Sequence, residues 1–347
     1  MSTHEAKVVR IEEILPHPDP ETIRLGLINV WGYQVVVAKD MWFAGQLAVY
    51  LEPDTMAEGT RAEFAFLNGE KPPRLHRIKA KRLRGIWSEG LLVPAPEGLV
   101  EGDDAWELLG LSRYVPPETQ HRGPKSNIDS IFGSAGDWDS CTINPPEYGL
   151  ENFKKFGKLL TEGEEIIISE KIHGQNFKAG FLDGELKVGS MKGWRKTAQT
   201  KTIDTPEGPK TYVQSQNNWW AAVDQNPWIR TLCEENPNKV FYGEIYGQVQ
   251  DLKYGAKQNQ IFLKLFDVWD VERNRYLQPS ELEKFNEEYF APVLYRGPFS
   301  KEIVLSHTDG PSVLPGANHI REGAVIKSVG SYRRILKSVS NFYLERS

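Results

Sequence analysis

The stretch Ile166-Ile-Ile-Ser-Glu-Lys-Ile-His-Gly-Gln-Asn-Phe177 constrains this chain more than any other. Its three consecutive isoleucines are β-branched and apolar, which reads as a buried strand. The strand is expected to stop at Gly174, where a residue without a Cβ lets the backbone turn tightly. Lys171 is then held at the rim of a core strand, facing whatever lies above it. A protonated lysine is a poor nucleophile; one whose surroundings lower its pKa is a good one. The segment therefore reads as a candidate site of covalent catalysis, with the remainder of the chain arranged to serve it.

That remainder divides in two, as 347 residues are long for one core. Residues 4 to about 110 read as short strands: Lys7–Ile11, Ile23–Val30, Tyr33–Ala38, Gln46–Leu51 and Gly90–Pro94, punctuated by Gly, Pro and Asp. This spacing suggests a small barrel, and an OB-like one of five strands fits the length. Within it, Lys71, Arg74, Arg77, Lys79, Lys81, Arg82 and Arg84 fall in a run without an acid. On a chain of net charge -5 this is a local asymmetry. Such a patch neutralises phosphates by counterion release, and Trp87 beside it is placed to stack on a base. A solvated face or a loop would use the same residues.

Pro- and Gly-rich residues 113–148 read as a linker. The expected units are 1–112, 113–148 and 149–347. Beyond Tyr148 strands are predicted at 164–169, 176–181, 185–189, 240–246, 261–268 and 323–329, with helices over 215–235 and 279–290. Antiparallel strands with interspersed helices make an α+β domain.

Several classes drop out. There is no phosphate-cradling G-x-x-x-x-G-K-[ST] and no dinucleotide fingerprint. Cys141 and Cys233 are the only cysteines, too few and too far apart for a disulfide framework or a zinc site. No apolar run reaches the length of a membrane span and no secretory leader is evident, so a cytoplasmic location is expected. The 10 tryptophans serve either as core anchors or as base-stacking platforms.

A lone K-x-x-G occurs by chance in most proteins of this size. The longer string from Glu170 to Phe177 is rarer, and it resembles the lysine motif of the covalent nucleotidyltransferase superfamily. The nearest likeness is to ATP-dependent RNA ligases of the phage RNA-repair type, with His173 where DNA ligases and capping enzymes usually carry Asp. Further motifs follow in the family's order: Phe241–Gly247 with Glu244, Leu263–Trp269 with Phe266, Arg321–Lys327 with Glu322, and Arg333–Val339 with Lys337. The resemblance implies an OB-like β-barrel followed by an ATP-grasp-like nucleotidyltransferase domain. The barrel precedes the last motif rather than following it, as in the Deinococcus-type RNA ligase branch, and Gln248–Gly255 is similar to that branch as well.

By the same resemblance, Lys171 accepts AMP from ATP, Glu244 binds the ribose hydroxyls and Phe266 stacks on adenine. Glu322 holds a divalent metal, Mg or Mn, through water. Lys337 contacts the ATP phosphates with Lys327 as a second cation nearby, and together with the metal it lowers the pKa of Lys171. Glu170, Ile172 and Asn176 lie beside the nucleotide; Asn176 donates to ribose or phosphate, or only satisfies a turn. His173 places a phosphate or an RNA end, or only orients its loop. The family's usual arginine after the first strands is missing in Ser190-Met-Lys-Gly193, leaving Lys192 or Arg195 to substitute, and Ile335 occupies the first lysine slot of the last motif. The implied reaction joins a 3′-hydroxyl to a 5′-phosphate, with nicked duplex RNA as partner and no obligatory protein partner. The open rivals are a GTP-dependent capping guanylyltransferase, a DNA ligase and a non-catalytic nucleic-acid-binding protein.

Overall fold

The computed structural model describes residues 5–114, 138–205, 208–213, 216–330 and 333–346. Its N-terminal part is built around the strand Leu47–Leu51, which pairs antiparallel with Val8–Arg10 on one edge and Leu91–Pro94 on the other. All but the first residue of this strand are buried. Val49 and Leu51 feed one apolar cluster with Phe64, Ile78 and Leu109, while Ala48 and Tyr50 feed another with Ile28, Tyr33 and Val35. A strand buried on both faces belongs to a sheet that curls over itself, which accounts for a barrel-like wall.

The run 71–87 is more ordered than a loop. Leu75–Arg77 pairs with Thr55–Glu58, and Ala80–Leu83 pairs with Ile86–Glu89 through a two-residue turn at Arg84-Gly85. Both turn residues have positive φ, 48° and 85°, as hairpin turns of this length require. Leu75–Arg77 and Ala80–Leu83 were illegible because neither alternates: Leu75 is exposed, and in Ala80–Leu83 only Ala80 is buried.

Among the described residues the C-terminal part holds two large sheets and a separate antiparallel ribbon, Thr200–Thr205 with Gly208–Val213. The first orders its strands as Glu151–Asn152, Ile335–Val339, Gly323–Ser328, Glu165–Lys171 and Val293–Pro298. The second orders them as Gly193–Trp194, Glu185–Ser190, Gln175–Leu182, Lys239–Gly247, Ile261–Asp270 and Arg275–Tyr276. Every pairing is antiparallel except that of Glu151–Asn152 with Ile335–Val339. Helices Asn218–Gln225 and Trp228–Glu235 pack behind the second sheet on Phe177, Val188 and Leu265, and helix Lys301–Thr308 packs behind the first on Ile166, Ile168 and Ile326. The inward faces of the two sheets meet where Lys327 reaches Asp267.

The expected strands are present, each within a residue or two. The helix expected over 215–235 is two helices, because Pro227 lacks a backbone donor and Asn226 caps the first with a side-chain bond to Ala222 O at 2.8 Å. The helix expected over 279–290 is only Pro279–Leu282. Its capping Glu281 is held at 2.7 and 2.8 Å by Arg275, and Asn286 starts a separate 3-10 turn by accepting from Glu288 N at 3.0 Å. Gly174 does not turn in the left-handed region. Its reason is contact: a Cβ there would collide with the carbonyl oxygen of Ile245 on the neighbouring strand. Most of the expected linker, residues 115–137, lies outside the described residues. Among the described residues no helix is long and apolar enough to cross a membrane, and both cysteines are free.

Candidate active site

Burial along Glu165–Lys171 alternates: Ile166, Ile168 and Glu170 face the apolar core or the loop beneath, so Ile167, Ser169 and Lys171 face the cleft. The antiparallel register pairs Lys171 with Gly323, which places the preceding residue, Glu322, beside the lysine. Lys171 Nζ lies 2.7 Å from Glu322 Oε1. On the facing sheet, Asn176 pairs with Glu244 in register, and its amide donates to Glu244 Oε2 at 3.1 Å. Lys337 approaches from the strand that pairs with Gly323–Ser328.

Two cavities meet at this cluster. One, about 430 Å³, is lined by Tyr148, Ile172, Asn176, Lys192 and Phe266. The other, about 440 Å³, lies against the N-terminal part and is lined by Asp54, Arg77, His173, Asp251 and Tyr343. Arg113, Lys171, Glu244 and Lys337 line both. A half-apolar slot on one side and a charged chamber on the other suit a ligand with a flat ring at one end and charge at the other.

The electrostatics depart from expectation at the lysine. Burial disfavours the Lys171 ammonium, but Glu322 and Glu244 outweigh it and raise the pKa above the usual lysine value; Arg113 opposes them more weakly. The expected lowering is thus reversed in the free protein, because the nearest charges are carboxylates. Lys337 is the depressed lysine instead, pushed down to about 8 by burial, then by Lys171 and Arg113. Burial raises Glu244 to about 7, with Lys171 pulling the other way. Burial also works against the charge on Glu322, but Lys171 and His173 hold its pKa down to about 2.

His173 is buried at the edge of the charged chamber. Its Nε2 lies 2.5 Å from Asp251 Oδ1, its Nδ1 2.9 Å from the Tyr343 hydroxyl, and its backbone N–H donates to the Tyr254 hydroxyl at 2.8 Å. Burial disfavours its charge, yet Asp251 and Glu322 raise its pKa above the ordinary histidine value. Asp251 and Tyr254 lie in the Gln248–Gly255 segment whose likeness was noted, but nothing there tied them to His173, and Tyr343 carried no signal in the sequence.

Other expected residues fall in varied places. Phe266 lines the half-apolar cavity under Tyr148, with ring centroids 4.7 Å apart. Glu170 lines the half-apolar cavity, but its buried carboxylate is engaged by the neighbouring loop, accepting from Ser312 Oγ at 2.5 Å and Val313 N at 2.8 Å. Lys327 is not a free cation near Lys171. It is clamped to the fully buried Asp267 at 2.9 Å, and that carboxylate also accepts from Arg333 at 2.6 Å and Tyr148 at 2.7 Å. Of the substitutes for the missing arginine, Lys192 borders the cavity. Arg195 is stacked between Trp138 and Trp219, 3.8 and 4.6 Å from their ring centroids.

In the basic run, Lys81, Arg82 and Arg84 are exposed on the hairpin. Arg77 is not free: it pairs with Asp54 at 2.8 Å and lies 3.6 Å over the Tyr114 ring. Lys79 is half-buried, and burial with Arg77 and Lys81 lowers its pKa. Trp87 meets Phe342 edge-on at 5.3 Å, a contact between the two parts of the molecule rather than an open platform.

Among the described residues, no group of three or more His, Cys, Asp or Glu side chains is disposed to hold a metal. Glu322 and Glu244 both line the chamber next to the lysine, with Glu322 in direct contact with it. This fits a hard divalent cation that keeps most of its waters and takes its other ligands from phosphates.

Comparison with known proteins places the chain by fold and by family. No curated protein matches the chain. A family model of an OB-fold domain matches residues 5–95. The solved structures similar to the chain include Naegleria gruberi RNA ligase as an apo mutant, at 24% identity with a TM-score of 0.73 over 99% of both chains. A mutant of the same enzyme with ATP and Mn matches at 23% identity and TM-score 0.73, over 99% of this chain and 98% of that one. Another with AMP and Mn matches at 24% and 0.74, over 99% of both. At such identity the likeness establishes the fold, an OB barrel in front of a nucleotidyltransferase-like domain. The RNA ligase family model matches residues 164–339, just over half the chain, from the nucleophile strand through Lys337, and the chain belongs to the RNA ligase family.

Proposed function

We propose that the protein is an ATP-dependent ligase that seals 3′-hydroxyl to 5′-phosphate ends in nicked duplex RNA through a lysyl-AMP intermediate. The observation that carries the reading is the meeting of Lys171, Glu244, Glu322 and Lys337 where the half-apolar and charged cavities join. The similar Naegleria enzyme has been solved with ATP and Mn, which supports ATP as substrate here. Lys171 loses a proton and its Nζ forms a bond to the α-phosphorus while pyrophosphate leaves. AMP then passes to an RNA 5′-phosphate, and a 3′-hydroxyl displaces it. In each step one substituent on a charged phosphorus is exchanged, so the protein contributes position and charge.

Glu244 accepts from ribose hydroxyls, a carboxylate being able to take two at once. Phe266, beneath Tyr148, offers a ring face to adenine. Lys337 carries positive charge beside the lysine that must neutralise phosphate oxygens. A divalent cation bound near Glu322 through water would screen the phosphate charge and ease the departure of pyrophosphate. Arg113 and Arg77 lie on the barrel side of the charged chamber, where pyrophosphate leaves or an RNA end enters. We further assign nucleic-acid binding to residues 1–112 and the chemistry to 149–347.

Strand-by-strand replacement of RNA by DNA around a nick tests the substrate. RNA on the 3′-hydroxyl side should seal at least tenfold faster than DNA there. Equal rates with all-DNA nicks would favour a DNA ligase, and GTP in place of ATP would favour a capping-type enzyme.

A further inference from the structure

The helix Asn341–Glu345 touches both parts of the molecule. On one side, Phe342 meets Trp87, and the Asn341 amide donates to Glu89 of the barrel, which also holds Lys154. On the other, Tyr343 is buried with its hydroxyl against His173 Nδ1, and Arg346 just beyond the helix pairs with Asp251 at 2.8 Å. His173 is therefore held at both ring nitrogens, by Tyr343 and by Asp251. Glu322 Oε2 lies 3.6 Å from the same Nδ1 that Tyr343 occupies at 2.9 Å.

We infer that Tyr343 is a positioning residue for nucleotide transfer to Lys171, acting through His173. A hydroxyl donates or accepts as its rotor turns, so it satisfies His173 Nδ1 whether or not that nitrogen carries a proton. It thereby holds Nδ1 on its own oxygen at 2.9 Å, leaving Glu322 Oε2 as a longer contact at 3.6 Å, and the other oxygen of Glu322 remains with Lys171. Without the hydroxyl, Nδ1 turns to the nearest remaining acceptor, Glu322, and competes with Lys171 for it. Because the helix also rests on Trp87 and Glu89, the docking of the barrel fixes where Tyr343 stands. This proposal rests on the reading of Lys171 as the AMP acceptor.

The test is the rate of protein labelling by ATP carrying a labelled α-phosphate, over a range of ATP concentrations, in full-length protein. Tyr343→Phe keeps the ring and its packing. It should lower the maximal rate about tenfold, the worth of one well-placed hydrogen bond, while the ATP concentration for half-maximal rate stays within about twofold. In a His173→Ala background, Tyr343→Phe should have no further effect. Arg346→Gln, which frees Asp251 instead, should lower the maximal rate in the same way and equally lose its effect once His173 is gone. A labelled wild type with Tyr343→Phe at full rate, or an undiminished effect of Tyr343→Phe without His173, overturns the proposal alone. An unlabelled wild type overturns the reading of Lys171 and this proposal with it.

Discussion

Lys171 pairs with Gly323 across two antiparallel strands, and that register delivers Glu322 to the amine. The nucleophile and the carboxylate that neutralises it are thus set by one backbone ladder. A one-residue slip would turn Lys171 into the core and bring Glu170 to the cleft, so the apolar face of Ile166 and Ile168 also fixes the chemistry.

Phosphate binding should weaken on the alkaline side. Lys337 has its pKa depressed to about 8 in the free protein. A bound phosphate favours the charged lysine, so affinity is full below that pH and is lost as pH rises through it. AMP binding by calorimetry should fall by up to about tenfold per pH unit above 8 until the Lys337 contribution is gone. Lys337→Arg should flatten the curve, because arginine keeps its charge. A wild-type profile flat to pH 10 would contradict the assignment.

Gly174 should not tolerate even alanine. The added methyl would press on the Ile245 carbonyl and the Glu244 side chain, where backbone cannot yield. A loss of about 1–3 kcal/mol in unfolding free energy is expected, as for other overpacked sites. Slowed labelling of Lys171 should accompany it. A melting temperature equal to wild type would refute the account of this glycine.

Glu89 is buried and holds both Lys154 and Asn341. Glu89→Ala leaves the half-buried Lys154 without its partner, which should cost about 1–3 kcal/mol in urea unfolding. Replacing both partners, as in Glu89→Gln with Lys154→Met, should cost much less. Equal losses would mean that the ion pair contributes little.

The exposed hairpin cations separate from the paired one. Neutralising Lys81, Arg82 and Arg84 should weaken duplex RNA binding and reduce the log–log salt slope by about 2–3, with Lys171 labelling intact. Arg77 belongs elsewhere, since Asp54 and Tyr114 hold it beside the charged chamber. An unchanged salt slope would remove the hairpin from the RNA interface.

These contrasts mark what the sequence could show. Lys171, Glu244, Phe266, Glu322 and Lys337 stand in motifs whose resemblance to the family is legible, and the structure gathers them around one junction. Lys327 belongs to the same motif and the same face, but Asp267 captures it, and no spacing rule reveals a competing buried carboxylate. Tyr343, Asp251 and Tyr254 reach His173 only through tertiary contacts of high sequence separation. Arg77 and Trp87 read as a phosphate contact and a base-stacking platform, but partners in other elements, Asp54 and Phe342, engage them. The raised pKa of Lys171 was hidden for the same reason: its sign depends on two carboxylates brought in by pairing register.

The most direct measurement is to incubate the protein with ATP labelled at the α-phosphate and a divalent metal, then map the labelled peptide. The account predicts an acid-labile phosphoramidate of AMP on Lys171, chased by nicked RNA into sealed product and absent in Lys171→Ala. No adduct, an adduct on another residue, or preferential labelling by GTP would contradict it.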